Sequence, residues 1–290
     1  MKLKQWLNTY GAISVIIILT VIIAGCAAST NLWGDPESGL ILSYRMEKDK
    51  PYSYQMVTKT DQELEMMGNK VQTGTDATYS YTIVNKGGTD SNLNLDFTLN
   101  DMKMEVKSPM GNMNPNLESV VGKKFEMVLS KLGKELSFTN LDNLKYEIMA
   151  GQERGVSSDF KLLFPDLSEK ALKVGDKWTS YDTLDADEGG VKLHMELEIN
   201  NTYEGVETIN GVECAKITAD TKGTMSGSGN QGGMSFTMSG TSTGQDNWYF
   251  DFKSGILTSM HSTADTDAEI KGSNMTIPMK MKMTIDNTLK

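Results

Sequence analysis

The chain has 290 residues but only two cysteines and two histidines. With Cys26 committed elsewhere, Cys214 has no partner, so no disulfide framework holds the fold, and a chain of this length does not need one. His194 and His261 form no His/Cys cluster with zinc-ligand spacing. No G-x-S-x-G nucleophile elbow occurs. Positive charge is scarce as well. Lys and Arg number 28 against 38 Asp and Glu, a net charge of −10. That balance argues against nucleic acid as a partner and against a basic patch for anionic lipid heads.

What is present begins with an address. Residues 1–25 read "MKLKQWLNTYGAISVIIILTVIIAG". Lys2 and Lys4 make a positive start, and Gly11 to Ile23 is an apolar run of secretory length, short for a membrane span. It ends in Ile23-Ala24-Gly25-Cys26, an aliphatic residue, two small residues and a cysteine. This order reads as a bacterial lipobox, with cleavage before Cys26 and a diacylglycerol on its sulfur. Ala27 follows Cys26 where an Asp would signal inner-membrane retention. The expected location is therefore the cell envelope, lipid-anchored, and the outer membrane if the organism has one. Loss of Lys2 and Lys4 takes the mature net charge to −12. Such a balance suits a soluble body hanging from a membrane by acyl chains.

The body alternates apolar and polar residues, the period of half-buried strands. Leu40, Leu42, Tyr44 and Met46 share a parity, as do Tyr52, Tyr54 and Met56, and Ala77, Tyr79, Tyr81 and Ile83. Leu93 to Leu99 continue, then the phase flips to Met102, Met104 and Val106, which predicts a bulge or tight turn at Asn100-Asp101. Phe125, Met127 and Leu129, then Leu136 and Phe138, follow around Gly133. Leu193, Met195, Leu197 and Ile199 alternate with His194, Glu196 and Glu198, and "TINGVE" (208–213) places Asn-Gly between apolar flanks, a hairpin signal. Between Leu141 and Leu172 the spacing turns helical: Leu141, Leu144, Ile148, then Phe160, Leu163, Phe164 and Leu167. Ser157, Ser158 and Asp159 supply a cap for the second helix and Pro165 a stop.

The expected fold is mainly β, with long curved antiparallel sheets in two similar halves and a short helical connector packed on the concave face. The expected organisation is a signal peptide over 1–25, lipidated Cys26 with its tether over 26–38, and an N-terminal β half over 39–140. A helical connector over 141–172 and a C-terminal β half over 173–290 complete it.

The lipobox, "LSYRMEKDKPYSYQM", "KVGDKW" (173–178), "NGVECAKI" (210–217) and "WYFDFKSGIL" (248–257) resemble an uncharacterised family of secreted bacterial lipoproteins. The long-stranded layout is similar to the LolA, LolB and LppX-type lipoprotein-carrier superfamily. That resemblance implies a curved sheet wrapped around helices and holding acyl chains. It carries no functional residue to this chain.

Chemical motifs are thin. "GSGNQG" (227–232) spells G-x-G-x-x-G, but a strand-like "MSFTMSG" follows where a dinucleotide site needs a helix, so a hairpin loop is expected. Asp185, Asp187, Gly190 and Glu196 partly match a calcium loop, with Gly189 at a ligand position and a strand where a helix should follow. A solvated acidic turn is the plainer reading. His194 and His261 fall in the polar phase of their strands, and 38 acidic residues make carboxylate pairs uninformative.

Methionine is the abundance. Of 20, all but Met1 lie beyond the signal segment. In "MTIPMKMKMTI" the residues Met275, Ile277, Met279, Met281, Met283 and Ile285 share one face, opposite Lys280 and Lys282. Thioethers are soft ligands, and M-x-M spacing would chelate copper(I). Yet these methionines continue aliphatic stripes, as a buried or ligand-holding surface does. Met repacks around varied apolar shapes better than branched residues do. The reading is a non-catalytic, membrane-anchored lipoprotein that binds a lipid or other hydrophobic ligand on that face, with no cofactor and no metal. The alternative is a structural envelope lipoprotein with a filled core; a copper-binding protein and a hydrolase are remoter.

Overall fold

A computed structural model describes residues 32–149, 152–188, 190–231, 234–272 and 275–290. The expected signal peptide and Cys26 lie outside these residues. After two short strands, β1 (Gly34–Asp35) and β2 (Gly39–Leu40), come the long strands β3 (Pro51–Met66), β4 (Asn69–Gly88) and β5 (Asn92–Lys107). They are followed by the shorter β6 (Lys124–Ser130) and β7 (Glu135–Thr139). A 3-10 turn (Leu141–Asn143), the hairpin β8 (Lys145–Met149) and β9 (Gln152–Gly155), and helix α1 (Ser157–Phe160) make the connector. The second meander is β10 (Lys177–Glu188), β11 (Val191–Ile209), β12 (Val212–Gln231), β13 (Met234–Asp251), β14 (Ile256–Lys271) and β15 (Thr276–Leu289).

The two meanders form one antiparallel sheet of eleven strands, curled into a half-barrel, in the order β10-β11-β12-β13-β14-β15-β3-β4-β5-β6-β7. The two meanders meet where β15 pairs with β3, from Met279 opposite Leu64 to Leu289 opposite Tyr54. The phase flip is a bulge: Ser80 pairs with Asp101 and Tyr81 with Leu99, leaving Asn100 as the extra residue. The Asn-Gly hairpin forms between β11 and β12, with Asn210 at φ 51° and Gly211 at φ 84°, the left-handed pair a tight two-residue turn requires. "GSGNQG" differs from expectation: Gly227 to Gln231 belong to strand β12. There Gly229 lies opposite Phe236, whose ring occupies the space a β-carbon would fill.

The connector also departs from the sequence reading. Helical spacing gives a four-residue helix, a 3-10 turn and a hairpin. Ser157 and Asp159 lie inside α1 rather than capping it, and Val156 is the N-cap. Leu162 sits at φ 68°, outside the helical region. The amide N–H groups of Leu162, Leu163 and Phe164 donate to the Glu135 carboxylate at 2.8, 2.7 and 3.2 Å. Those amides have a better partner than a further helical turn would offer. Phe160 lands amid Tyr79, Tyr81, Phe97 and Phe125, with ring centroids 5.1 to 6.4 Å away. Tyr79 Oη donates to Asp159 at 2.7 Å, fixing the helix to β4.

The connector joins the two outer edges of the sheet. Lys134, between β6 and β7, donates to the Tyr181 carbonyl of β10 at 2.7 Å and pairs with Asp182 and Asp166. Lys161 reaches the Asp185 carbonyl at 3.0 Å, and Trp178 Nε1 donates to the Asp166 carbonyl at 3.0 Å. Residues 39–48 floor one end of the half-barrel. Their buried Leu40, Leu42, Tyr44 and Met46 point in; the amides of Leu40, Tyr44 and Arg45 donate to the carbonyls of Leu172, Lys131 and Gly255, and the Met46 carbonyl accepts from the Asn85 side chain. This end, with the β4–β5, β6–β7, β11–β12 and β13–β14 turns, is the base. The opposite end, with the β3–β4, β10–β11, β12–β13 and β14–β15 turns, is the rim.

Candidate functional site

Side chains alternate across each strand, so register assigns every residue to the inner or outer face. The inner face is zoned from base to rim. Near the base a row of Tyr203, Ile217, Trp248, Met260, Asn287 and Met56 crosses β11 to β3. With the connector and floor it forms one large aromatic and aliphatic core. Asn287 is the buried polar member and accepts from Tyr81 Oη at 2.8 Å. The next inner row begins a polar belt. Asn201, Asp246 and Ser262 lie across that row, and Ser242 and Thr266 stand two inner rows nearer the rim. Thr221 donates to Asp246 at 3.0 Å and Thr266 to Ser242 at 3.0 Å. Burial pushes the Asp246 carboxyl up, against the bonds from Ser262 and Thr221.

Toward the rim the face becomes apolar again. One row carries Met195, Met225, Gly240, Ala268, Met279 and Leu64 in register. Met225, Ala268 and Met279 are buried there, and Leu64, Leu193, Met195, Met238 and Ile270 pack on them half-buried. A β-carbon at Gly240 would stand 2.5 Å from the Ala268 methyl, so the glycine gives the curled sheet room. The connector's buried apolar residues all belong to the base core. The expectation that residues 141–172 close over the methionines is thus corrected: they cover the aromatic end.

The predicted face is divided among these zones. Met279 is 5% exposed and belongs to the rim cluster, while Ile285 packs against the base core. Ile277, Met281 and Met283 are half-buried, and Met275, just before β15, is 46% exposed. Sequence parity alone could not reveal the partners of this stripe: Met225, Met238, Leu193 and Met195 on β11 to β13, and the polar belt. Leu136, expected inside, is exposed on the short edge strand β7. Two surface hollows lie elsewhere, one at the base around Gly211, Glu213 and Lys253, the other near Lys177, Asn200 and Asp220.

The outer face is mostly hydrophilic, with scattered apolar residues such as Val57, Val84 and the exposed Tyr181. Beside the Met stripe, Lys280 pairs with Asp267 at 3.8 Å and Lys282 with Asp265 at 3.4 Å. A membrane-spanning barrel needs an apolar band in these positions. His194 and His261 lie on this face, 2.7 Å from Asp185 and 2.6 Å from Asp286. Hydrogen bonding to Asp185 raises His194. Among the described residues neither imidazole is hydrogen-bonded to a serine or cysteine, and no group of three acidic, histidine or cysteine residues is placed to hold a metal. Asp185 and Asp187 stand on β10, facing β11 across a hairpin. Cys214 is buried beside Thr258, and burial pushes its thiol up, the setting of an unreactive cysteine.

No protein-family model matches the sequence, and no curated protein matches it. Among solved structures, the chain is similar to the hypothetical lipoprotein YmcC of Escherichia coli K12. Identity is 14%, the match covers 78% of this chain and 83% of that one, and the TM-score is 0.25. A candidate lipoprotein of Parabacteroides distasonis ATCC 8503 is 11% identical over 86% of this chain and all of that one, with a TM-score of 0.29. An outer membrane channel from Pseudomonas putida F1 is 10% identical over 89% and 98%, with a TM-score of 0.25.

Proposed function

We propose that the protein is a non-catalytic, lipid-anchored envelope lipoprotein whose rim-side inner face takes up the apolar chain of a lipid or similar hydrophobic molecule. One observation carries this reading. The connector covers only the aromatic end, and beyond the polar belt a concave apolar surface remains half-exposed. It includes Leu193, Met195, Met238, Ile270 and Ile277, and half-buried Leu197, Met281 and Met283 extend it along the belt toward the base. Methionine supplies an adaptable wall for chains of varied shape. Eight methylenes buried there would contribute about 6 kcal/mol before association costs. No cofactor enters the reading, and the lipobox at Cys26 supplies the anchor.

A second reading has its own support. Met225 and Met279 are already buried against Gly240 and Ala268, which is how a filled structural face packs. The test uses residues 32–290 purified without detergent. Native mass spectrometry should show co-purifying lipid, and a fluorescent fatty acid should bind and be weakened by Met281→Lys without loss of the fold. A lipid-free body that ignores the probe and is unfolded by Met281→Lys would establish the filled face instead.

A further inference from the structure

Exposed apolar side chains gather at both ends of the half-barrel. The rim tips carry Met66, Met67 and Met110. The base carries Leu32, Ile41, Val174, Val206 and Val212, with Leu32 74% and Val174 66% exposed. These base residues come from separate segments that the fold draws together. The Ile41 amide donates to the Trp33 carbonyl at 2.8 Å, Leu40 pairs with Leu172, and Gly205 lies against Val174. Trp33 is half-buried, with the Arg45 guanidinium 5.9 Å from its ring centroid. An amphipathic aromatic of this kind sits well at a membrane–water boundary.

The length of chain before Leu32 decides between the ends. Five residues, and so six steps of chain, separate Cys26 from Leu32. Fully extended they reach about 20 Å. β4 alone, with 20 residues, rises about 65 Å from rim to base at 3.3 Å per residue. Leu32 and Trp33 belong to the base, and the rim lies beyond the reach of the tether.

We infer that the base is a membrane-docking surface. Leu32, Trp33, Ile41, Val174 and the Val206–Val212 hairpin rest on the bilayer that holds the anchor, and the Met-bearing rim is presented to the aqueous side. This rests on the anchoring reading above. It adds an orientation: the proposed ligand face opens away from the protein's own membrane. The charged outer wall makes lying flat in the apolar layer costly.

The test uses the full chain, extracted from cells and reconstituted in phosphatidylcholine vesicles containing a nitroxide-headgroup lipid. In a Cys214→Ser background, single cysteines are placed at exposed positions by Val174→Cys, Val212→Cys or Met67→Cys and labelled with a fluorophore. The two base labels should be quenched several-fold more than the rim label. Equal quenching, or stronger quenching at Met67→Cys, overturns the orientation. Intact mass reports separately whether Cys26 carries lipid. If the mass retains residues 1–25, the lipidation reading fails, and the labels are repeated in a chain carrying both Cys26→Ser and Cys214→Ser; its apolar run still ends just before Leu32, so the quenching decides the orientation.

Discussion

Gln62 Nε2 donates to the Met279 sulfur at 2.8 Å across the β3–β15 pair. Thr73 in turn reaches the Gln62 carbonyl oxygen at 3.5 Å. This thioether of the M-x-M stripe is thus buried and already occupied by a cross-strand donor.

Copper(I) titration of residues 32–290 against a competing chelator should therefore show no tight, stoichiometric binding. Replacing Met279 and Met281 together with Leu conserves volume and should cost under about 1.5 kcal/mol. Tight binding abolished by that pair of changes would show the sulfurs to be ligands.

Phe160 should be a keystone of the base core. It is fully buried and meets four aromatic rings of the sheet. Phe160→Ala should lower the urea unfolding free energy by about 3–5 kcal/mol, and exposed Met110→Ala by less than about 0.5 kcal/mol. Similar costs for the two would mean that the connector is not part of the cooperative unit.

Stability should fall as pH rises from 5 to 8. Burial pushes the Glu135 carboxyl up to about 7, more than the three backbone amides pull it down. Burial, then Asp182, raises Asp166 to about 6, with Lys134 opposing. Unfolded, both carboxyls titrate near 4. Between these values the folded state binds more protons, so each unit of pH subtracts from stability until the folded groups have ionised. His194, raised by Asp185, acts in the same direction. Glu135 should account for about 1–3 kcal/mol of this loss. Glu135→Gln should flatten the slope by that share; an unchanged slope would remove Glu135 as its source.

Much of the sheet was legible because alternation is a local property. Tyr79, Tyr81 and Ile83 announce their face, and Asn210-Gly211 its turn, without reference to the rest of the chain. The flip after Leu99 located the bulge at Asn100. The connector was misread because Phe160, Leu163, Phe164 and Leu167 follow helical spacing. Their backbone is captured by Glu135, whose position emerges only when β7 is in place. The Met stripe was legible as a face, but the three zones of that face were not. They arise from register among six strands, which no single segment encodes.

The pairing of β15 with β3 also orders events in time. Gln62 and Met279 are 217 positions apart, and the strand that joins the two meanders is the last of the described strands in the sequence. A chain delivered from its N-terminal end would first hold two partial sheets, with β3 and β14 each presenting a bare edge. Such distant pairings close slowly, and open edges invite wrong partners while they wait. Residues 276–289 thus act as the closing stitch of the molecule, and its assembly is completed only once that stitch is in place.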